Sequence, residues 1–522
     1  MLVFLMSLLI STAQAGGLSS EEKALQLLNR LSYGPRPTEV QALAKQGNNG
    51  IQHWIEEQLH PEKIDDRHLE GKISQLPITG LDTLQLMAQY QDLNKFIERD
   101  MGASKKDLPE EELKQLRKKY EDHLIPRILE DMQAQRLIRA VESRRQLEEV
   151  LFDFWWNHFN VDWSKGPVRW MAPSYEREAI RHHIFGSFID LLRATAHHPA
   201  MLVYLDNHVS RVAPPAKNGK KPNGGLNENY ARELMELHTL GVDGGYTQKD
   251  VTELARILTG WSVENTNDDP VFAFKEKNHD KEAKVFLNHT FPAGGGLDEG
   301  ERALEMLAEN PNTAKFISLK LARYFVSDNP PESLVLRLQK EFLKTHGNLT
   351  AVYRALFNSP EFWSRTSYQA KVKRPLQFVA SSIRALGGEL DIKTPLPKIL
   401  ADLGEELYKC APPTGYKDDA STWVNPGALV SRLDFSLKLA ANRMDGVFVT
   451  LPQKVKPTED LKSLVNDISK KLLGQPLSKG SAEVVMKELS DESRTFANGE
   501  LRPISLAKAT ALILGSPEFQ KR

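Results

Sequence analysis

Glu228, Arg232 and Glu236 fall at spacings of four within residues 227–240, so on an α-helix they share one row. Two carboxylates around a guanidinium could grip an anionic group or pass a proton, which is acid–base chemistry. Asn229 and Glu233 lie beside that row as candidate substrate contacts, while Ala231, Leu234 and His238 turn to the other side. The same residues could instead form a solvated face laced with i,i+4 ion pairs of about 0.3–0.5 kcal/mol each. His238, on the apolar side, reads as a core histidine satisfied by a backbone partner.

A second cluster is FWWNHFNV at 154–161. Its aromatic residues suit a core, but Asn157 and His158 among them need polar partners if buried. His158 is a candidate catalytic group, with Trp156 and Asn157 able to bind a sugar ring or orient a water. A third cluster is Asn278-His279-Asp280 with Lys284. His279 could act as a base with Asp280 as its orienter, although Asn and Asp are also good turn residues. Asp206 and Trp261 complete the candidate contacts, Trp261 as a stacking face. A metal site would need three ligands converging from His158, His279, Asp280, Glu233 and Asp206. The sequence carries no H-E-x-x-H, paired E-x-x-H, G-x-S-x-G, P-loop or G-x-G-x-x-G motif, so no metal or cofactor is named.

The elements that must position these groups are helical. Residues 227–240 open on Asn-Glu-Asn as a cap and stop at Gly241, and Thr247 leads a second helix with Asp250 and Glu253 in its first turns. Ser19 or Ser20 caps a helix over 18–31, Thr38 caps the next, and 51–59 is a short amphipathic piece. Residues 125–161 form one long helix or two, and 184–207 form a pair broken at His198-Pro199. Residues 99–124 mix both signs of charge as a solvated arm. Residues 211–225, rich in Pro, Gly and Lys, read as a mobile loop before the key helix. From 297 onward helical patterns return in series, at 299–308, 313–326, 332–345, 349–357, 371–386 and 426–441. Ser-Pro-Glu-Phe occurs at 359–362 and again at 516–519, each serine an N-cap and each proline a first helical residue. Strand signals are confined to 271–275 and 284–287, which could pair as one hairpin. The expectation is an all-α fold, a large multi-helical single domain with a small β-hairpin insertion, over 16–522, with possible lobes 16–365 and 366–522.

Apolar residues make up 40% of the chain, enough for a sizeable core, and the formal net charge of −1 excludes global attraction to nucleic acid or anionic membranes. Residues 1–10 are almost wholly apolar and Ala13-Gln14-Ala15 has the small-x-small pattern of a signal peptidase site. Cleavage after Ala15 would deliver the protein to the periplasm or outside the cell. That run is shorter than the roughly 20 residues of a membrane span. Cys410 is the only cysteine, so no internal disulfide can form, and it reads as a buried inert thiol.

The stretches LLNRLSYGPRP (27–37), RQLEEVLFDFWWNHFNV (145–161), HPAMLVYLDN (198–207) and residues 227–261 resemble a large bacterial family, the domain of unknown function 1800. HDKEAKVFL (279–287), LARYFVSDNPP (321–331) and TWVNPGALVSRL (422–433) extend the resemblance over nearly the whole chain. It implies one long helical domain in an exported bacterial protein, and supplies no activity and no catalytic residues. It also implies a partner, an exported sulfatase- or phosphatase-like protein encoded nearby. The residues point first to a hydrolase or lyase acting on an extracytoplasmic polymer or conjugate through a Glu/Arg/His cleft. The alternatives are a non-catalytic scaffold or partner of an exported complex, and a metal-dependent binding protein.

Overall fold

Capping chemistry starts the helices where the sequence places polar residues. Ser19 Oγ accepts from Glu22 N, and the Glu22 carboxylate accepts from Ser19 N at 2.8 Å, opening α1 (Ser20–Leu31) with a capping box. Thr38 holds the N-cap position of α2 (Glu39–Gln58) in a left-handed conformation, but its hydroxyl caps nothing; Arg36 N donates to Glu39 instead. The expected 51–59 piece is the second half of α2, beyond a kink at Gly47 with φ 63°. Ser359 and Ser516 each accept from the Phe amide three residues on, so both Ser-Pro-Glu-Phe copies use the same cap.

The computed structural model describes residues 17–90, 108–123, 125–212, 225–266, 269–451, 461–490, 496–497, 500–501 and 503–522. The expected signal segment 1–15, most of the loop 211–225 and part of the charged arm lie outside the described residues. The fold is mostly α. Residues 125–161 resolve into two helices, α3 (Ile125–Glu142) and α4 (Gln146–His158). At the expected break, His198 Nδ1 accepts from Ala200 N, ending α5 (Phe188–His197) and starting α6 (Pro199–Tyr204). Helices α7 (Asn229–Glu233) and α8 (Gln248–Ile257) follow, then α9 (Leu297–Ala308), α10 (Pro311–Phe325), α11 (Glu332–Lys344), α12 (Leu349–Phe357), α13 (Pro375–Ala385) and α14 (Pro426–Ala440). No helix among the described residues is long and apolar enough to cross a membrane.

The strand pairing differs from expectation. Both strand signals exist, but each pairs with a neighbour closer in sequence. Strand β1 (Trp261–Thr266) pairs antiparallel with β2 (Asp269–Phe274), and β3 (Lys284–Phe286) pairs with β4 (His289–Phe291). Leu287 and Asn288, both at positive φ, close the tight turn between β3 and β4. On its other edge, β3 donates Val285 N to Glu253 and Leu287 N to Asp250, so α8 side chains occupy the edge that β2 was expected to take.

Helix α4 lies at the centre. Leu147, Val150, Leu151, Phe152, Phe154, Trp155 and Trp156 are buried, and so are Gln146, Glu149, Asp153 and His158. A helix covered on every face cannot send its polar side chains to water, so each must find a partner inside. Trp155 Nε1 donates to the Tyr353 hydroxyl at 2.6 Å, and Trp156 meets the Tyr408 ring edge-on at 4.8 Å. Buried apolar residues from Ala24 to Phe519 form one contiguous cluster around it.

Candidate functional site

The 227–261 stretch is bolted to the turn before it. Asn227 Oδ1 accepts from Asn229 N at 2.9 Å, while Asn227 Nδ2 donates to Asp206 O and Asn229 Nδ2 to Leu205 O. Asp206 sits at φ 59° and pairs with Lys165 at 2.9 Å. The expected row of Glu228, Arg232 and Glu236 is broken. After α7 the chain makes a π-turn, Leu234–His238, whose wider i→i+5 bonds shift the phase of everything beyond it. Glu228 and Arg232 still meet at 3.4 Å, closed off by Gln248 and by Thr252 Oγ1, which donates to Glu228 at 2.8 Å. Glu236 instead neighbours Glu233, and makes no hydrogen bond or ion pair among the described residues. Burial and the Glu236 charge raise the Glu233 carboxyl above its ordinary value. Gly241 ends this segment at φ 81°, and a methyl there would stand 2.7 Å from the Phe316 ring.

His158 is buried against that end. Its Nε2 lies 3.1 Å from the His238 carbonyl oxygen and its Nδ1 2.8 Å from Lys320 Nζ. The carbonyl can only accept, so Nε2 carries the hydrogen and Nδ1 accepts from the Lys320 ammonium. Burial, reinforced by the Lys320 charge, holds His158 well below its ordinary pKa and His238 down to about 3. Burial also pushes half-buried Lys320 down to about 8, against the favourable charge of Asp418. His238 gives its carbonyl to His158, while its own Nε2 has no partner.

His279 belongs to a different network. Its Nδ1 lies 2.8 Å from Thr259 O, and its Nε2 is 3.4 Å from Glu299, which also pairs with the fully buried Lys284 at 2.7 Å. Lys284 donates further to the carbonyls of Asp280 and Glu282, and the Asp280 carboxylate is held by Arg256 at 2.8 Å. Asp280 therefore orients α8, not His279. Trp261 is fully buried between the rings of His197 and Phe272 and offers no stacking face to a ligand. Among the described residues no three His, Cys, Asp or Glu side chains are placed to hold a metal ion, so the expected convergence of His158, His279, Asp280, Glu233 and Asp206 does not form.

Trp156 and Asn157 do share a cleft, together with Arg136, Arg374, Glu405 and Tyr408, but its free space is about 10 Å³, room for about one water. Asn157 is spent on the chain beside it, donating to Tyr416 O at 2.8 Å and accepting from Tyr416 N at 2.7 Å. Beneath lies a group of charges that sequence reasoning missed. Asp153 accepts from Arg136 at 2.5 Å and from the Tyr324 hydroxyl at 3.0 Å, and pairs with Arg374 at 3.3 Å. Glu405 completes it, binding Arg374 and accepting from Leu376 N at 2.9 Å at the start of α13. The available signal was Asp153 itself, one acid inside the apolar run LFDFWW. Cys410, at the cleft, is buried as expected, and burial raises its thiol to about 11.

A family model, Protein of unknown function (DUF1800), matches residues 26–521, a range that includes α4 and the whole of 227–261. The chain belongs to the DUF1800 family. The match takes in each of the four networks just described, so all belong to the DUF1800 unit. Curated proteins and solved structures yield no match to the chain.

Proposed function

We propose that this DUF1800 protein is an exported single-domain binding partner, delivered to the periplasm or beyond by cleavage after Ala15. One observation carries the reading. The groups expected to converge on a substrate are instead spent in separate closed networks, His158 at the His238 carbonyl and His279 at the Thr259 carbonyl. Groups committed in this way hold elements together, whereas half-buried Glu233 and Glu236 form no ion pair among the described residues. The partner proposed is the exported sulfatase- or phosphatase-like protein encoded nearby. The two purified proteins are expected to co-elute in size-exclusion chromatography with light scattering, and Glu233→Lys with Glu236→Lys to weaken the complex about tenfold or more. Separate elution at tens of micromolar, roughly the range of weak specific complexes, would remove the reading.

Lys320 favours a second reading, in which the hydrolase or lyase chemistry sits elsewhere than expected. A half-buried amine hydrogen-bonded to an oriented neutral imidazole is the geometry of a general base or nucleophile. Lys320→Met would then reduce turnover of phosphate or sulfate esters by about 100-fold or more. The same variant has a readout independent of activity. Because Lys320 is held at about 8 against an ordinary 10.5, the unfolded chain keeps its proton longer. Wild-type stability therefore rises as the pH passes from about 8 to 10.5, and Lys320→Met should lose that rise. Unchanged turnover with the pH-dependent rise lost would assign Lys320 a structural role.

A further inference from the structure

Among the described residues, four buried cations have no carboxylate side chain as an ion-pair partner. Arg30, Lys373, Arg432 and Arg522 are at most 4% exposed, and none forms an ion pair. A short bridge between Val372 and Lys521 gathers three of them. Lys373 N donates to Gln520 O at 2.8 Å, Arg432 donates to Lys373 O at 2.8 Å and to Gln520 Oε1 at 2.5 Å, and Arg522 donates to Tyr324 O. Arg30 reaches Ser367 O at 2.7 Å. The Nε atoms of Arg30, Arg432 and Arg522 and Nη1 of Arg30 are buried with no acceptor. The nearby carboxylates are already engaged, Asp328 and Asp418 with Lys371 and Glu405 with Arg374.

Lys373 is the member that meets open space. Its ammonium lies 3.8 Å over the Phe519 ring, has no hydrogen-bond acceptor, and lines a cleft with Asn29, Gln369, Ser381 and Glu518. Glu518 uses one oxygen on Ser478 N, and its other oxygen is buried without a partner. Burial, with the charges of Arg522 and Arg432, pushes Lys373 down to about 7. Lysine can escape such a field by losing its proton, but arginine cannot. Uncompensated positive charge in a core is among the costliest arrangements a fold can hold, and a small anion removes the cost.

We propose that the Lys373 cleft binds a small inorganic anion, a halide or a tetrahedral oxyanion, which neutralises the field of Lys373, Arg432 and Arg522. The free space is about 10 Å³, so a halide enters with little adjustment and an oxyanion requires the cleft to widen. The test is thermal unfolding of the full chain in a buffer whose only anion is bulky and organic, with chloride or sulfate added at constant ionic strength. The melting temperature is expected to rise saturably with one of the two, and the ion that saturates first identifies the class. Lys373→Met should melt above the wild type without added anion, and its apparent affinity for the anion should be at least tenfold weaker. A rise that follows ionic strength alone, or a variant that responds as the wild type does, overturns the proposal. Should Lys373→Met fail to fold, titration calorimetry of chloride and sulfate into the wild type decides, and no saturable heat from either ion overturns it.

Discussion

Lowering the pH from about 6.5 to about 4.5 is expected to remove roughly 4 kcal/mol of stability, a large share of what a protein of ordinary stability has. Three buried histidines are responsible. His198 and His238 are each held down to about 3 against an ordinary 6.5, and His158 lies well below that value. Burial is the largest cause in all three, followed by the positive charge of Arg177 beside His198 and of Lys320 beside the other two. In the unfolded chain each imidazole gains its proton near 6.5, whereas in the folded chain it must stay neutral. The unfolded state therefore binds more protons, and stability present above 6.5 is lost as the pH falls. His198 and His238 each contribute about 1.4 kcal/mol per pH unit, so over two units they give roughly 6 kcal/mol, and His158 acts in the same direction. Asp131 opposes them: burial raises its carboxyl to about 6, and its protonation in the folded state returns about 2 kcal/mol. Urea midpoints across this range measure the slope. His198→Asn, which keeps an N-capping side chain for α6, should reduce the loss by about 3 kcal/mol over the same two units. A slope no different from that of a protein without buried histidines would contradict their neutral, buried state.

Asp153→Asn is expected to destabilise the protein by about 3–5 kcal/mol, whereas Glu228→Gln should cost at most about 1 kcal/mol. Both changes remove one carboxylate charge beside an arginine, and burial is the main difference. Asp153 is 1% exposed, and its loss leaves Arg136 with no other ion pair among the described residues, against the rings of Phe152 and Tyr408. Arg374 suffers less because Glu405 still binds it. Glu228 and Arg232 are half-buried at the surface, where water solvates whichever partner remains. Equilibrium denaturation of the two variants beside the wild type measures the difference. Equal costs would mean that the Asp153 network is hydrated.

These two carboxylates also show where the sequence could be read and where it could not. Glu228 and Arg232 were legible as a pair because four residues on one helix place them together. Glu236 was not, because the π-turn after Glu233 costs backbone regularity and is visible in no propensity. His158 stood out as a polar residue in an aromatic run, but its two partners, Lys320 and the His238 carbonyl, lie far along the chain. The two strand signals were found and joined to each other, because nothing local showed that Asp250 and Glu253 of α8 would occupy the free edge of β3.

The sequence by itself determined the helices and most of their ends: the Ser19 box, the Thr247 box, the Pro311 start after Asn310, and the break at His198-Pro199. Those choices are settled within one turn of helix, since a cap hydroxyl or a proline acts on amides two to four residues away. Tertiary structure alone decided which charges were buried together. Asp153, Arg374 and Glu405 meet because α4, α13 and the segment after residue 403 pack side by side. A buried charge selects its partner through the low dielectric of a core that exists only once distant helices have assembled.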